Sequence, residues 1–201
     1  MIPVTQQDEP PSFDVRVRKP GLAWLRSHKI PLGSPLPPRT AIEPYWTRCL
    51  DDLHRSYSGV CAYVSVYVER GLGGTSVDHF IAKSQLAGRA YDWDNYRLAC
   101  AQMNANKGKF HDVLDPFTLA ADTFFLELIT GRIYANPALT GQSLTDADAT
   151  LVRLGLDEPV YRQLRANRYT WYVADPTSVA RQRLRVEAPF VWYEANRQGL
   201  L

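Results

Sequence analysis

The apolar positions of this 201-residue chain change period several times, and each change marks an expected element. In residues 43–57 (EPYWTRCLDDLHRSY), Trp46, Cys49, Leu50 and Leu53 recur at helical spacing, with Pro44 near the first turn, where proline is tolerated. Ser58 and Gly59 end that helix. Residues 60–68 (VCAYVSVYV) are dense in β-branched and aromatic side chains and predict a strand, followed by a turn at 71–74 and a returning strand at 75–79. A second short β segment is expected at 97–100, and a helix starts at 101 and runs to 109. Residues 80–94 between them show no period, and a loop of that length suggests either function or an element that the pattern does not show. Further on, 124–129 and 132–134 predict a hairpin around Gly131. Helices are expected at 144–154, 159–173, 177–186 and 190–198, with Thr145 and Asp157 as N-cap candidates. Short strand pairs set in a mainly helical chain give an α+β class.

Residues 1–40 break this regularity, because eight of the 14 prolines fall there. A continuous helix through them is not expected. The segment reads as an extended arm with a short helix at 21–28 that presents Leu22 and Leu25, and with Trp24 as its anchor on a later domain. Hydrophobic residues make up 45% of the chain, enough for a sizeable core, so disorder throughout is excluded. No apolar run reaches the length of a membrane span, and the first residues begin no signal peptide. Three cysteines (Cys49, Cys61 and Cys100) are too few and odd in number for a disulfide framework, which makes a reducing cytoplasm the default location. The net charge of +2 implies no partner by itself, although most of the cations are arginine, the side chain suited to phosphate.

Candidate chemistry is concentrated in residues 76–109. Asp78 and His79 open this stretch, Asn95 follows sixteen residues after His79, Asn104 nine later, and Lys107 three after that. A carboxylate and an amide are oxygen ligands for a hard divalent cation. Histidine is the side chain whose unperturbed pKa suits deprotonation of water near neutrality. Asn104 and Lys107 are three apart and so share a helical face. A lone Asp-His pair is most often an ordinary surface pair; the spacing that follows it is what raises this one.

The order D-H-F-x-x-K-S, W-x-N-Y-R-L-x-C and N-x-x-K-G over residues 61–109 resembles the HNH endonuclease family, built on a ββα-metal motif. The resemblance implies an HNH nuclease core at 41–117 between the proline-rich arm (1–40) and a hairpin plus helical region (118–201) packed on it. It implies His79 as general base, Asp78 and Asn104 as ligands of one Mg²⁺ or Mn²⁺, Asn95 as the residue that fixes the loop, and Lys107 as a point cation for phosphate. Lys83, Arg89 and Arg97 are candidate nucleic-acid contacts, and His111 is an outside candidate. The segments at 2–21 and 112–117 and the helical C-terminal third are similar, more loosely, to bacterial HNH proteins of Septu or retron anti-phage systems. That likeness implies an SMC-like ATPase partner. DNA is the expected substrate, with RNA not excluded, and no membrane is expected. Arg162, Arg165, Arg168, Arg181, Arg183 and Arg185 are further candidates for holding its phosphates, against solvated helix faces as the alternative. The competing readings are a nuclease silent until a partner docks and a nucleic-acid-binding module with a degenerate site.

The sequence departs from the family pattern at the zinc-binding C-x-x-C pairs, because Val64 and Met103 stand where second thiolates would be. A closed structural zinc site takes four ligands, so no structural zinc is expected, and Cys61 and Cys100 are expected as neighbours in a small apolar core. Elemental analysis of the purified chain should find no stoichiometric zinc, and a chelator should leave its melting temperature unchanged. Zinc near one per chain would show that other ligands, such as His54 or His111, had replaced the thiols.

Overall fold

The computed structural model describes residues 1–72 and 74–201, without the side chain of Leu72. It divides into two compact units. A mixed unit comprises Gln6–Gly59 and Glu69–His111; a helical unit comprises Met1–Thr5, Val60–Val68 and Asp112–Leu201. The expected boundaries at 40 and 117 do not coincide with this division, since residues 6–40 belong to the same unit as 69–111.

In the mixed unit the proline-rich stretch carries the short helix expected at 21–28, begun two residues earlier and led in by a wide turn, while residues 28–44 hold no helix. A wide turn at Asp14–Arg18, closed by the Lys19 N–H on Asp14 O, runs into α1 (Lys19–Ser27). Pro20 lies in the first turn of α1, where a missing N–H leaves no intrahelical bond unmade. Phe13, Val17, Gly21 and Leu25 recur every fourth residue and form the buried stripe. Trp24, the expected anchor, is only half-buried and stacks on His28 at 3.9 Å between centroids. Gly21 is required by close approach: a Cβ there would lie 2.3 Å from the Tyr91 ring.

The helix expected at 43–57 divides into a 3-10 turn (Tyr45–Cys49) and α2 (Leu50–Ser56). β1 (Thr75–His79) pairs antiparallel with β2 (Tyr96–Cys100), Asp78 opposite Arg97 and His79 opposite Tyr96. α3 (Ala101–Lys107) follows β2 without a linker. The partner of β1 is therefore β2, not residues 60–68. That segment belongs to the helical unit and makes one isolated bridge, Val60 to Tyr67, around a tight turn. Residues 61–66 are all buried, and a short apolar run signals burial as readily as it signals a strand. Of the turn expected at 71–74, Gly73 lies outside the described residues. The loop at 80–94 contains two 3-10 turns, Ala87–Tyr91 and Trp93–Asn95. Phe13 packs edge-on against Trp93 and Tyr96, which ties the N-terminal helix to the strand pair.

The helical unit holds β3 (Phe124–Leu126), β4 (Ile133–Ala135) and four helices: α4 (Gly141–Leu154), α5 (Pro159–Ala174), α6 (Ser178–Glu187) and α7 (Pro189–Arg197). β3 and β4 form the expected hairpin around Gly131, whose φ of +69° and close approach to Arg162 O leave no room for a side chain. The N-cap positions are Thr140 and Glu158. Thr145 lies inside α4, and Asp157 instead accepts the Ile133 N–H at the edge of β4. Among the described residues, no helix is long and apolar enough to cross a membrane.

Gly21→Ala should lower the melting temperature, because the new methyl overlaps a ring whose hydroxyl is tied to Glu43 O at 2.7 Å. Overpacking of this kind costs about 1–3 kcal/mol. A thermal melt that matches the parent would show that Tyr91 moves aside freely.

Candidate active site

Asp78 and His79 are the last two residues of β1, so their side chains leave opposite faces of the strand. Asp78 faces α3. Its Oδ1 is 3.3 Å from Lys107 Nζ, which also donates to His79 O at 3.0 Å. Lys107 is 0% exposed and Asp78 1%, so the lysine expected to meet phosphate is sealed beneath the strand end. One turn earlier on α3, Asn104 Nδ2 donates to Ser76 Oγ (3.2 Å) and Val77 O (3.3 Å). A backbone carbonyl only accepts, so the amide nitrogen must face the strand, and Oδ1 is the atom left for the cleft.

On the other face, His79 Nε2 lies 3.0 Å from Ala90 O, which also accepts from the Tyr96 hydroxyl at 2.7 Å. By the same logic Nε2 carries the proton and Nδ1 carries the lone pair. Among the described residues, Nδ1 has no hydrogen-bond partner. Trp46 meets the imidazole edge-on at 4.8 Å and Tyr96 at 5.2 Å. Burial pushes the His79 imidazole down to about 3. The Lys83 charge and, less, that of Lys107 share in this lowering, and the Ala90 bond opposes it.

Asn95 clamps the loop. Its Oδ1 accepts from Ile81 N (2.8 Å) and its Nδ2 donates to Ile81 O (3.0 Å) and Arg89 O (2.8 Å), while its own carbonyl accepts from Phe80 N. The clamp holds both ends of the segment that follows His79.

A cleft of about 330 Å³ joins these groups, lined among others by Trp46, Asp78, His79, Lys83, Asn104 and Lys109. Lys83 Nζ lies 5.0 Å above the Trp46 ring, and burial pulls its ammonium pKa down, with Asp78 opposing and Lys107 adding. Trp46 was expected only as an apolar helix position; nothing in its spacing marks it as cleft-lining.

The other expected contacts lie elsewhere. Arg97 is 3% exposed and donates to Asp94 O and Tyr96 O, so a phosphate does not reach it. Arg89 pairs with Asp92 and Asp94. His111 is exposed and 3.2 Å from Gln85 Nε2. In the helical unit the arginine series is largely engaged internally. Arg165 is buried on Gly131 O and Leu156 O, Arg162 pairs with Asp157, and Arg168 and Arg183 both pair with Glu187. Arg185 lies over Trp192, which leaves Arg181 with no protein partner among the described residues. Cys61 and Val64 fall in the helical unit and Cys100 and Met103 in the mixed unit; Val64 and Met103 are buried.

Among the described residues no three His, Cys, Asp or Glu side chains gather as a metal cluster. The cleft instead offers one carboxylate and one amide oxygen. That donor set fits a hard, largely hydrated cation of the Mg²⁺ type and does not fit zinc. Compared with known proteins, the chain matches no family model, and no curated protein is significantly similar to it.

The low imidazole value has a checkable sign. The folded His79 stays neutral while an unfolded one protonates below 6.5, so stability is full above that pH and is lost as pH falls from 6.5 toward 3. The slope reaches at most about 1.4 kcal/mol per pH unit. In NMR the His79 Cε1–H shift should stay flat between pH 5 and 8, the range where an exposed histidine titrates. A midpoint near 6.5 would contradict the buried, lysine-flanked placement.

Proposed function

We propose that the chain is a metal-dependent endonuclease of the HNH type, hydrolysing nucleic-acid phosphodiester bonds, with DNA as the substrate. The observation that carries this reading is the one cleft that the His79 imidazole, whose Nδ1 has no hydrogen-bond partner among the described residues, shares with Asp78 and Asn104. These three groups come from a strand end and the helix that follows the next strand. The resemblance of the D-H, N and N-x-x-K spacing points the same way.

On this reading His79 Nδ1 takes a proton from water as the water oxygen attacks phosphorus. The bond to the 3′ oxygen breaks, and that oxygen takes its proton from solvent, leaving a 5′-phosphate and a 3′-hydroxyl. Asp78 and Asn104 would hold Mg²⁺ or Mn²⁺, which when bound supplies charge stabilisation at the phosphate and the leaving oxygen. Asn95 holds the loop, and with it the Ala90 carbonyl that fixes the imidazole tautomer. The negative charge of a bound phosphate raises the basicity of an imidazole beside two lysines, the direction a base requires.

A second reading has one observation in its favour: an imidazole held at about 3 is a weak base, as in a nuclease silent until a partner or substrate arrives. The loose likeness to anti-phage HNH proteins supports an SMC-like ATPase as that partner and a cytoplasmic effector role. Purified chain incubated with plasmid and Mg²⁺ or Mn²⁺ separates the two, since only the first reading expects cleavage by the chain alone. RNA offered in parallel tests the substrate. His79→Ala should reduce cleavage by about 10²–10⁴-fold without loss of folding. Cleavage at the parental rate would remove His79 as the base.

A further inference from the structure

We propose that Lys83, seated on the Trp46 ring, anchors a substrate phosphate in the cleft, with Trp46 as the residue that positions it. The identity of the ligand as a phosphodiester rests on the nuclease reading above. The lysine of the N-x-x-K spacing cannot serve as this anchor, because Lys107 is fully buried against Asp78 and the His79 carbonyl. Lys83 occupies the opposite situation. It lines the cleft with Asp78, His79 and Asn104, and no protein oxygen among the described residues accepts from its ammonium. A partly buried ammonium held only by an aromatic face and the nearby Asp78 charge keeps its N–H donors for a ligand, and an anion in the cleft engages them.

Trp46 gives the ammonium a defined position. With Nζ 5.0 Å from the ring centroid, the cation–π contact favours this placement of an otherwise flexible side chain. The same indole meets His79 edge-on, so one ring orients both the candidate base and the cation beside it. Trp46 comes from the 3-10 turn before α2, outside the strand–strand–helix unit. The ligand chemistry is an oxyanion of phosphorus, whether a nucleic-acid phosphodiester or free phosphate.

The test uses the full chain in EDTA, where no metal-dependent cleavage occurs, with two probes: a fluorescein-labelled single-stranded DNA 12-mer followed by anisotropy, and inorganic phosphate followed by thermal shift. Lys83→Gln should weaken DNA binding about tenfold and reduce the slope of log affinity against log salt by about 0.7, the share of one phosphate contact on a single strand. It should also abolish the phosphate-induced rise in melting temperature. Lys83→Arg should keep the salt slope. Trp46→Ala should weaken binding about threefold in the parent but add nothing in the Lys83→Gln background, whereas Trp46→Phe should bind as the parent does. Lys83→Gln binding both probes like the parent overturns the proposal, as does a parent that binds neither. Phosphate binding through Lys83 in a chain that never cleaves with Mg²⁺ or Mn²⁺ leaves the proposal standing and removes the nuclease reading instead.

Discussion

The buried contact between Lys107 and Asp78 is the constraint from which the site unit takes its geometry. Neither charge is tolerable alone in that environment, and removing one partner of such a pair costs about 3–5 kcal/mol. The contact therefore fixes how far α3 reaches along β1. Because Lys107 also donates to the His79 carbonyl, it holds the strand end itself and not only its side chain. Asn104, one turn back on the same helical face, is thereby brought against Ser76 and Val77, which turns its oxygen outward. The contact that closes the fold here is the same contact that places the two candidate oxygen ligands.

A second set of constraints runs through the loop at 80–94, which has little regular structure to hold it. Asn95 supplies the missing order with one side chain, taking both backbone groups of Ile81 and the carbonyl of Arg89. The next carbonyl along, that of Ala90, receives Tyr96 and His79 together. The position of an amide at the end of the loop thus determines which nitrogen of the imidazole carries a proton. The link that meets the imidazole is a backbone carbonyl, which can only accept, so the tautomer follows from it.

Much of this was legible in the sequence, for reasons that differ by element. The four C-terminal helices follow from long apolar periods, which tertiary context rarely overrides. β1, β2 and α3 follow from short segments whose boundaries are set by Asn95 and by the polar face of α3. The strand expected at 60–68 fails because residues 61–66 are buried on all sides, and composition alone does not tell burial from pairing. In the arm only the start of the helix differs: it begins before Gly21, because Pro20 sits in the first turn, where a helix has no use for a donor. The division of labour among lysines was not legible at all. Lys107 and Lys83 look alike in a sequence, and only the packing of α3 against β1 puts one beneath the strand and the other in the cleft.

That division bears on how the cleft responds to a ligand. Lys107 offsets the charge of Asp78 from below, while Lys83 is unmatched from above, and the imidazole between them is held neutral mainly by burial. An anion entering the cleft is attracted by the unmatched lysine and, once there, replaces the positive field that depresses His79 with a negative one. Binding and the strengthening of the base are then the same electrostatic event, as the proposed function requires. A cation held by Asp78 and Asn104 would act in the opposite direction on the imidazole, and the phosphate charge would offset it as it offsets the lysines. Under the proposed function, the arrangement would tie the reactivity of His79 to the presence of substrate, with charges already fixed by the fold.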